Sequence, residues 1–125
     1  MDAPIEAYMK VGIVHFMAFP ELSSGKGPGE ETVSNIALDP FFTAIEITHI
    51  DDPEVREGVR AMLHLAHLAV GFGAHPTILG QQLNSNALNE GDRINACTVL
   101  KAQIKEAISM GSESLVVLSG KDPGG

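Results

Sequence analysis

Ala44-Ile45-Glu46-Ile47-Thr48-His49 is the stretch on which the fold turns. It lies inside Phe41–Ile50, a run of strand-favouring residues closed by Asp51-Asp52-Pro53. Side chains alternate across a strand, so Phe42, Ala44, Glu46 and Thr48 share one face, and Thr43, Ile45, Ile47 and His49 share the other. Apolar neighbours on both faces are the mark of a strand in a covered parallel sheet. Glu46 is then expected to be a buried carboxylate, which requires a partner, a metal or a proton. It is either a structural Glu held by a cation or backbone donors, or a Glu directed into a site.

The flanking chain repeats one pattern. Lys10–Phe19 is a nearly continuous apolar run ended by Pro20, and reads as a first strand near 10–19. A Gly- and Ser-rich loop and a helix over about 30–38 lead to the second strand, near 41–50. Asp51 or Asp52 is placed to cap the next helix, with Pro53 in its first turn. Val55, Val59, Met62, Leu63 and Ala66 give that helix one apolar stripe. A third strand near 70–75 alternates Val70, Phe72 and Ala74 against Gly71, Gly73 and His75. The glycine face leaves room beside His75. A long connection, Pro76–Asn89, precedes a helix over about 90–110, whose expected apolar face is Ile94, Cys97, Leu100, Ile104, Ala107 and Ile108. Leu115-Val116-Val117-Leu118-Ser119 is the fourth strand, near 115–119.

The order β-α-β-α-β-α-β defines an α/β chain with a parallel sheet. Two architectures satisfy it: a small doubly wound, flavodoxin-like sheet, or half of a (β/α)8 barrel. In both, chemistry belongs at the C-terminal ends of the strands. That rule gathers His15, Phe19, Thr48, His49, His75, Ser119 and the tail loop on one rim, with Glu46 just below it. Residues 1–8 read as a disordered extension, and 9–125 as one partial barrel domain.

Bulk properties narrow the function. With 125 residues, 44% of them hydrophobic, the chain can build a single core. A net charge of -8 with scattered Lys and Arg argues against nucleic acid and against an anionic membrane surface. No apolar run reaches the ~20 residues of a spanning helix. The acidic N-terminus is unlike a signal peptide. Cys97 is the only cysteine, which excludes an internal disulfide and fits a cytoplasmic setting. Gly25-Lys26-Gly27-Pro28-Gly29 lacks the Ser or Thr that a phosphate loop needs after its Lys. His64 and His67, three apart on a helix, have no carboxylate on their face to complete a metal set.

Several segments together resemble a known family. They are Lys10-Val11-Gly12-Ile13, Ala44-Ile45-Glu46-Ile47 and His75-Pro76. The longest runs from Leu83-Asn84-Ser85 through Arg93-Ile94-Asn95-Ala96 and Met110-Gly111 to Leu115-Val116-Val117-Leu118-Ser119-Gly120. In order and spacing they are similar to the N-terminal half of the xylose-isomerase-like TIM barrels. Those are sugar-phosphate isomerases and epimerases that share a barrel with apurinic endonucleases.

The resemblance implies proton transfer at a carbon next to a carbonyl, on a sugar or sugar phosphate, with a divalent Mn, Mg, Co or Zn ion polarising substrate oxygens. It implies catalytic roles for Glu46 and His75, and substrate contacts from His15, Thr48 and Ser119. The family's metal ligands belong to later strands, so no metal ligand is assigned among these residues. Ser119-Gly120 stands where many members carry His-Pro-Gly, which argues against an endonuclease-like zinc cluster. The expectation is a fragment of a longer barrel, inactive alone and prone to self-association through open sheet edges. A self-contained binding domain without catalysis, and a hydrolase or lyase on the same barrel, are the alternatives.

Overall fold

The computed structural model describes residues 3–124. Its centre is a four-stranded, all-parallel sheet: β1 (Gly12–Val14), β2 (Ala44–Thr48), β3 (Ala69–Gly73) and β4 (Ser114–Val116). The helices are α1 (His15–Ala18), α2 (Gly29–Ala37), α3 (Pro53–Leu65), α4 (His75–Gly80) and α5 (Glu90–Ser109). Strand order is β1-β2-β3-β4, the same as chain order. Register places Val14 beside Glu46 and Glu46 beside Gly71, and then Gly71 beside Ser114.

A doubly wound sheet carries helices on both faces and reverses its strand order at a switch point. Neither feature is present among the described residues. Val33 and Ile36 of α2, Val59 and Leu63 of α3, and Ala107 and Met110 of α5 pack in one core with Ile45, Ile47 and Phe72. The three long helices therefore cover the same face of the sheet, as in a singly wound β/α array. The flavodoxin-like alternative is corrected by this order. The opposite face carries Val14, Glu46, Gly71 and Ser114, and forms an open groove of about 530 Å³. No helix among the described residues is long and apolar enough to cross a membrane.

Local chemistry explains the boundaries. Asp52 is the N-cap of α3, its side chain accepting from Glu54 N and Val55 N, with Pro53 in the first turn. Asn89 caps α5 by accepting from Asp92 N. At the other end of α5, Gly111 has φ 77°, and the bonds Gly111 N to Ile108 O and Ser112 N to Ala107 O form a Schellman closure.

Several expectations change. The apolar run near 10–19 is a strand only over Gly12–Val14; the chain then turns into α1, which folds Phe16 over the end of the sheet. Periodicity does not separate a buried strand from a buried helical turn in so short a run. The long connection contains α4, opened by His75 with Pro76 tolerated in its first turn. The third strand accordingly ends at Gly73, and β4 ends at Val116 because β3 offers it no further partner. Finally, α5 buries Ala96, Gln103 and Ala107, while Ile94, Ile104 and Ile108 are exposed. Two polar contacts fix that rotation: Gln103 Nε2 donates to Thr77 Oγ1 at 2.8 Å, and Glu106 reaches the end of β2. Within the segment expected to be disordered, residues Ile5–Ala7 form one 3-10 turn with no buried side chain; Met1 and Asp2 lie outside the described residues.

Candidate active site

Gly73 is the last residue of β3, on the uncovered face. A β-carbon built there would lie 2.9 Å from Glu46 Oε1, 2.9 Å from His75 Cε1 and 3.0 Å from Phe16 Cζ. The missing side chain is thus what allows a carboxylate, an imidazole and an aromatic edge to converge on one point. Glu46 comes from the middle of β2, and His75 from the first residue of α4. Phe16, 4% exposed, comes from α1 and meets the His75 ring edge-on, centroids 5.1 Å apart.

Glu46 is half-buried rather than enclosed, because the face it occupies is open. It makes no hydrogen bond or ion pair among the described residues, so the structural reading, a Glu neutralised by a cation or backbone donors, has no partner here. His75 Nδ1 is buried and also without a partner. An unpaired buried polar atom costs about 1–3 kcal/mol, so a buried imidazole nitrogen left open marks a place for a ligand or water. Carboxylate and imidazole together are a general acid–base pair.

His15 and Thr48, expected as substrate contacts, are both buried and hydrogen-bonded within the fold. His15, 3% exposed, lies against α2, its Nε2 2.7 Å from Thr32 Oγ1. The Thr32 hydroxyl donates to the carbonyls of Pro28 and Gly29, so His15 Nε2–H is the donor to Thr32. Burial, opposed by the Glu21 charge, lowers the His15 pKa to about 4, and the ring is neutral near pH 7. Thr48 is buried and donates to Gly73 O at 2.7 Å, bracing β2 against β3. Both border a cavity of about 10 Å³, too small for a substrate.

Ser119 lies on the rim, away from Glu46. Its carbonyl accepts from Ser85 Oγ at 2.6 Å and Asn86 Nδ2 at 2.7 Å, which ties the C-terminal segment to the turn after α4. His64 and His67 line a depression of about 310 Å³ with the C-terminal end of α5, remote from Glu46.

A second polar cluster lies on the helix side of β2. His49 Nδ1 is 2.5 Å from Glu106 Oε2, and His49 Nε2 is 2.8 Å from Asp51 Oδ1. Glu106 Oε1 accepts from Ile50 N at 3.0 Å and is 3.2 Å from Arg56 Nε. The Glu106 hydrogen bond, with Asp51 adding to it, raises the His49 pKa above 6.5. This cluster joins α3 and α5 to the sheet and faces away from Glu46.

Sequence reasoning made a glycine-flanked His75 the neighbour of Glu46 one strand over but missed Phe16 and Glu106. Phe16 was hidden inside the apolar run; Glu106 carries no local signal, because its partners lie more than 50 residues away. Among the described residues no group of three or more His, Cys, Asp or Glu is placed to hold a metal. Glu46 and His75 offer at most two ligands, short of the four to six or more that a bound Zn, Mg or Ca ion takes. They do not by themselves form the divalent site that the family resemblance implies. No family model matches the chain, and no curated protein or solved structure matches it significantly.

Proposed function

We propose that this chain supplies the proton-transfer groups of a sugar isomerase or epimerase built on a β/α barrel. The observation that carries the reading is the convergence of Glu46 and His75 over Gly73, with neither group's polar atoms committed elsewhere. Glu46 is the base that removes a proton from the carbon beside a substrate carbonyl. The resulting carboxylic acid then returns that proton to the neighbouring carbon in isomerisation; epimerisation needs a second acid on the opposite face of the enediol, from outside this pair. His75 exchanges the hydroxyl proton as the carbonyl becomes an enediol oxygen and is re-formed. Phe16 holds the imidazole and keeps water from one side of it. A divalent ion would stabilise charge on the enediol oxygens when bound, but the residues here do not complete its site, and no step is assigned to it.

The open face supports the same reading. Four strands leave two free edges and an uncovered inner surface, and further β/α units would enclose Glu46. The chain of 125 residues alone is expected to be inactive.

The test is solvent-deuterium incorporation beside the carbonyl of aldoses, ketoses and their phosphates, followed by proton NMR with the complete gene product. Exchange that falls at least a hundredfold in Glu46→Gln, with the fold intact by circular dichroism, is the expected result. Undiminished exchange in both Glu46→Gln and His75→Gln would remove the proposal.

A further inference from the structure

A second concavity, of about 800 Å³, lies on the same end of the sheet, between α4, the turn after it, the start of α5 and the segment following β4. We propose that it binds an uncharged polyhydroxyl group, the hydroxyl-bearing part of a sugar or polyol, rather than a phosphate. This rests on the sugar reading above and assigns the part of the substrate that the Glu46 site does not touch.

Four carboxamides line the concavity: Gln81, Gln82, Asn84 and Asn95. A primary amide offers donors and an acceptor in one plane, which suits vicinal hydroxyls. Of these four, only Asn84 is engaged among the described residues: its Oδ1 accepts from Asn86 N at 2.9 Å, leaving its Nδ2 free. The apolar part of the wall is Ile78, Leu79, Leu83, Ala87 and Leu118, a surface for the C–H face of a sugar. The wall is built rather than incidental. Ser85 and Asn86 both hold the Ser119 carbonyl, and Asn84 occupies the space a side chain at Gly120 would need.

Charge decides between hydroxyls and phosphate. The charged residues in the lining are one Lys121 and one Asp92, which cancel. A helix N-terminus often holds phosphate, but the first turn of α5 carries Glu90 and Asp92, and Asn89 already caps it. Arg93 is paired with Glu90. A dianion would meet a single lysine on a chain of net charge -8. The concavity adjoins the acid–base site through α4: His75 opens that helix, and Ile78, three residues on, lines the concavity.

The experiment is titration of the complete gene product with a neutral ketohexose, the matching ketohexose phosphate and inorganic phosphate, by calorimetry and by NMR of side-chain amides. The neutral sugar is expected to bind saturably and to shift the Asn84 and Asn95 amide signals. Asn95→Ala should weaken it about five- to tenfold, as expected for a lost hydrogen bond or two, and Lys121→Ala should change it less than twofold. Tighter binding of inorganic phosphate than of the sugar, dependent on Lys121, would overturn the proposal. So would binding of the sugar undiminished in Asn95→Ala and Asn84→Ala together. Measuring deuterium exchange and amide shifts on the same unsubstituted protein separates the two readings: sugar binding without any deuterium exchange defeats the proton-transfer reading alone, and exchange without amide shifts defeats this one alone.

Discussion

Gly73→Ala is the perturbation the architecture makes most specific. The added methyl would stand at 3.0 Å or less from Glu46, His75 and Phe16, where ordinary contact is 3.4–4 Å. The Glu46 carboxylate is uncommitted and can swing into the open groove. Phe16 is buried and held against His75, so the two rings cannot retreat without opening the end of the sheet. Overpacking of this kind costs about 1–3 kcal/mol. Gly73 is not in the left-handed region, so the same substitution restrains the unfolded chain and returns about 0.4–1 kcal/mol. The net expectation is a loss of about 1–2 kcal/mol, or roughly 4–8 °C in Tm for a domain of this size. Urea unfolding followed by circular dichroism measures it, with two internal comparisons. At Gly71 a β-carbon would sit 3.3 Å from Ser114 Oγ, a milder contact, and at Gly80 it would meet nothing within 4 Å. Stability should therefore fall in the order Gly80→Ala, Gly71→Ala, Gly73→Ala, with Gly80→Ala at or above the parent because Ala favours the helix. A Gly73→Ala chain as stable as Gly80→Ala would show that Glu46, His75 and Phe16 do not converge there, and the candidate site would fall with it.

Two further predictions concern pH and the α5 anchor. His15 is neutral in the fold with its pKa lowered to about 4 from 6.5, so its stabilisation is complete above pH 6.5 and is lost as pH falls toward 4, by about 3 kcal/mol. Urea midpoints between pH 4 and 7 should show that decline, and His15→Gln, which keeps a donor to Thr32, should flatten it; an equal decline in the variant would refute the assignment. His49 has the opposite sign: its pKa is raised, so its contribution is full below pH 6.5 and is lost as pH rises through the raised value. Glu106→Ala should shrink that alkaline-side loss, leaving the part that Asp51 supplies, and cost about 2–4 kcal/mol, because Ile50 N loses its acceptor and Arg56 its carboxylate. Faster hydrogen exchange at Ile50 in the variant is the accompanying signature, and unchanged exchange would show that Glu106 does not anchor α5.

The alternation in Phe41–Ile50 and in Val70–His75 was enough to separate the two faces of each strand, with Glu46 on one face of the second and Gly71, Gly73 and His75 together on one face of the third, because strand periodicity is a local property of the backbone; the register between the strands put those faces together. The β/α order and a cap at Asp51 or Asp52 were legible for the same reason: each acts within a few residues of itself. Strand order was not, since a sequential and a doubly wound sheet use the same succession of elements; the packing of α2, α3 and α5 on one face decided it. Nor was the rotation of α5, where a sequence stripe of Ile94, Ile104 and Ile108 lost to contacts that Glu106 and Gln103 make with distant residues. The same distinction divides the candidate site residues. His15 and Thr48 were grouped with Glu46 because they share a rim, yet a helical turn and a carbonyl one strand away claimed them. By itself the sequence determined which side chains each strand presents. Only the tertiary structure decided which of those met one another, because the free energy of a buried polar group depends on partners that the chain brings from far away.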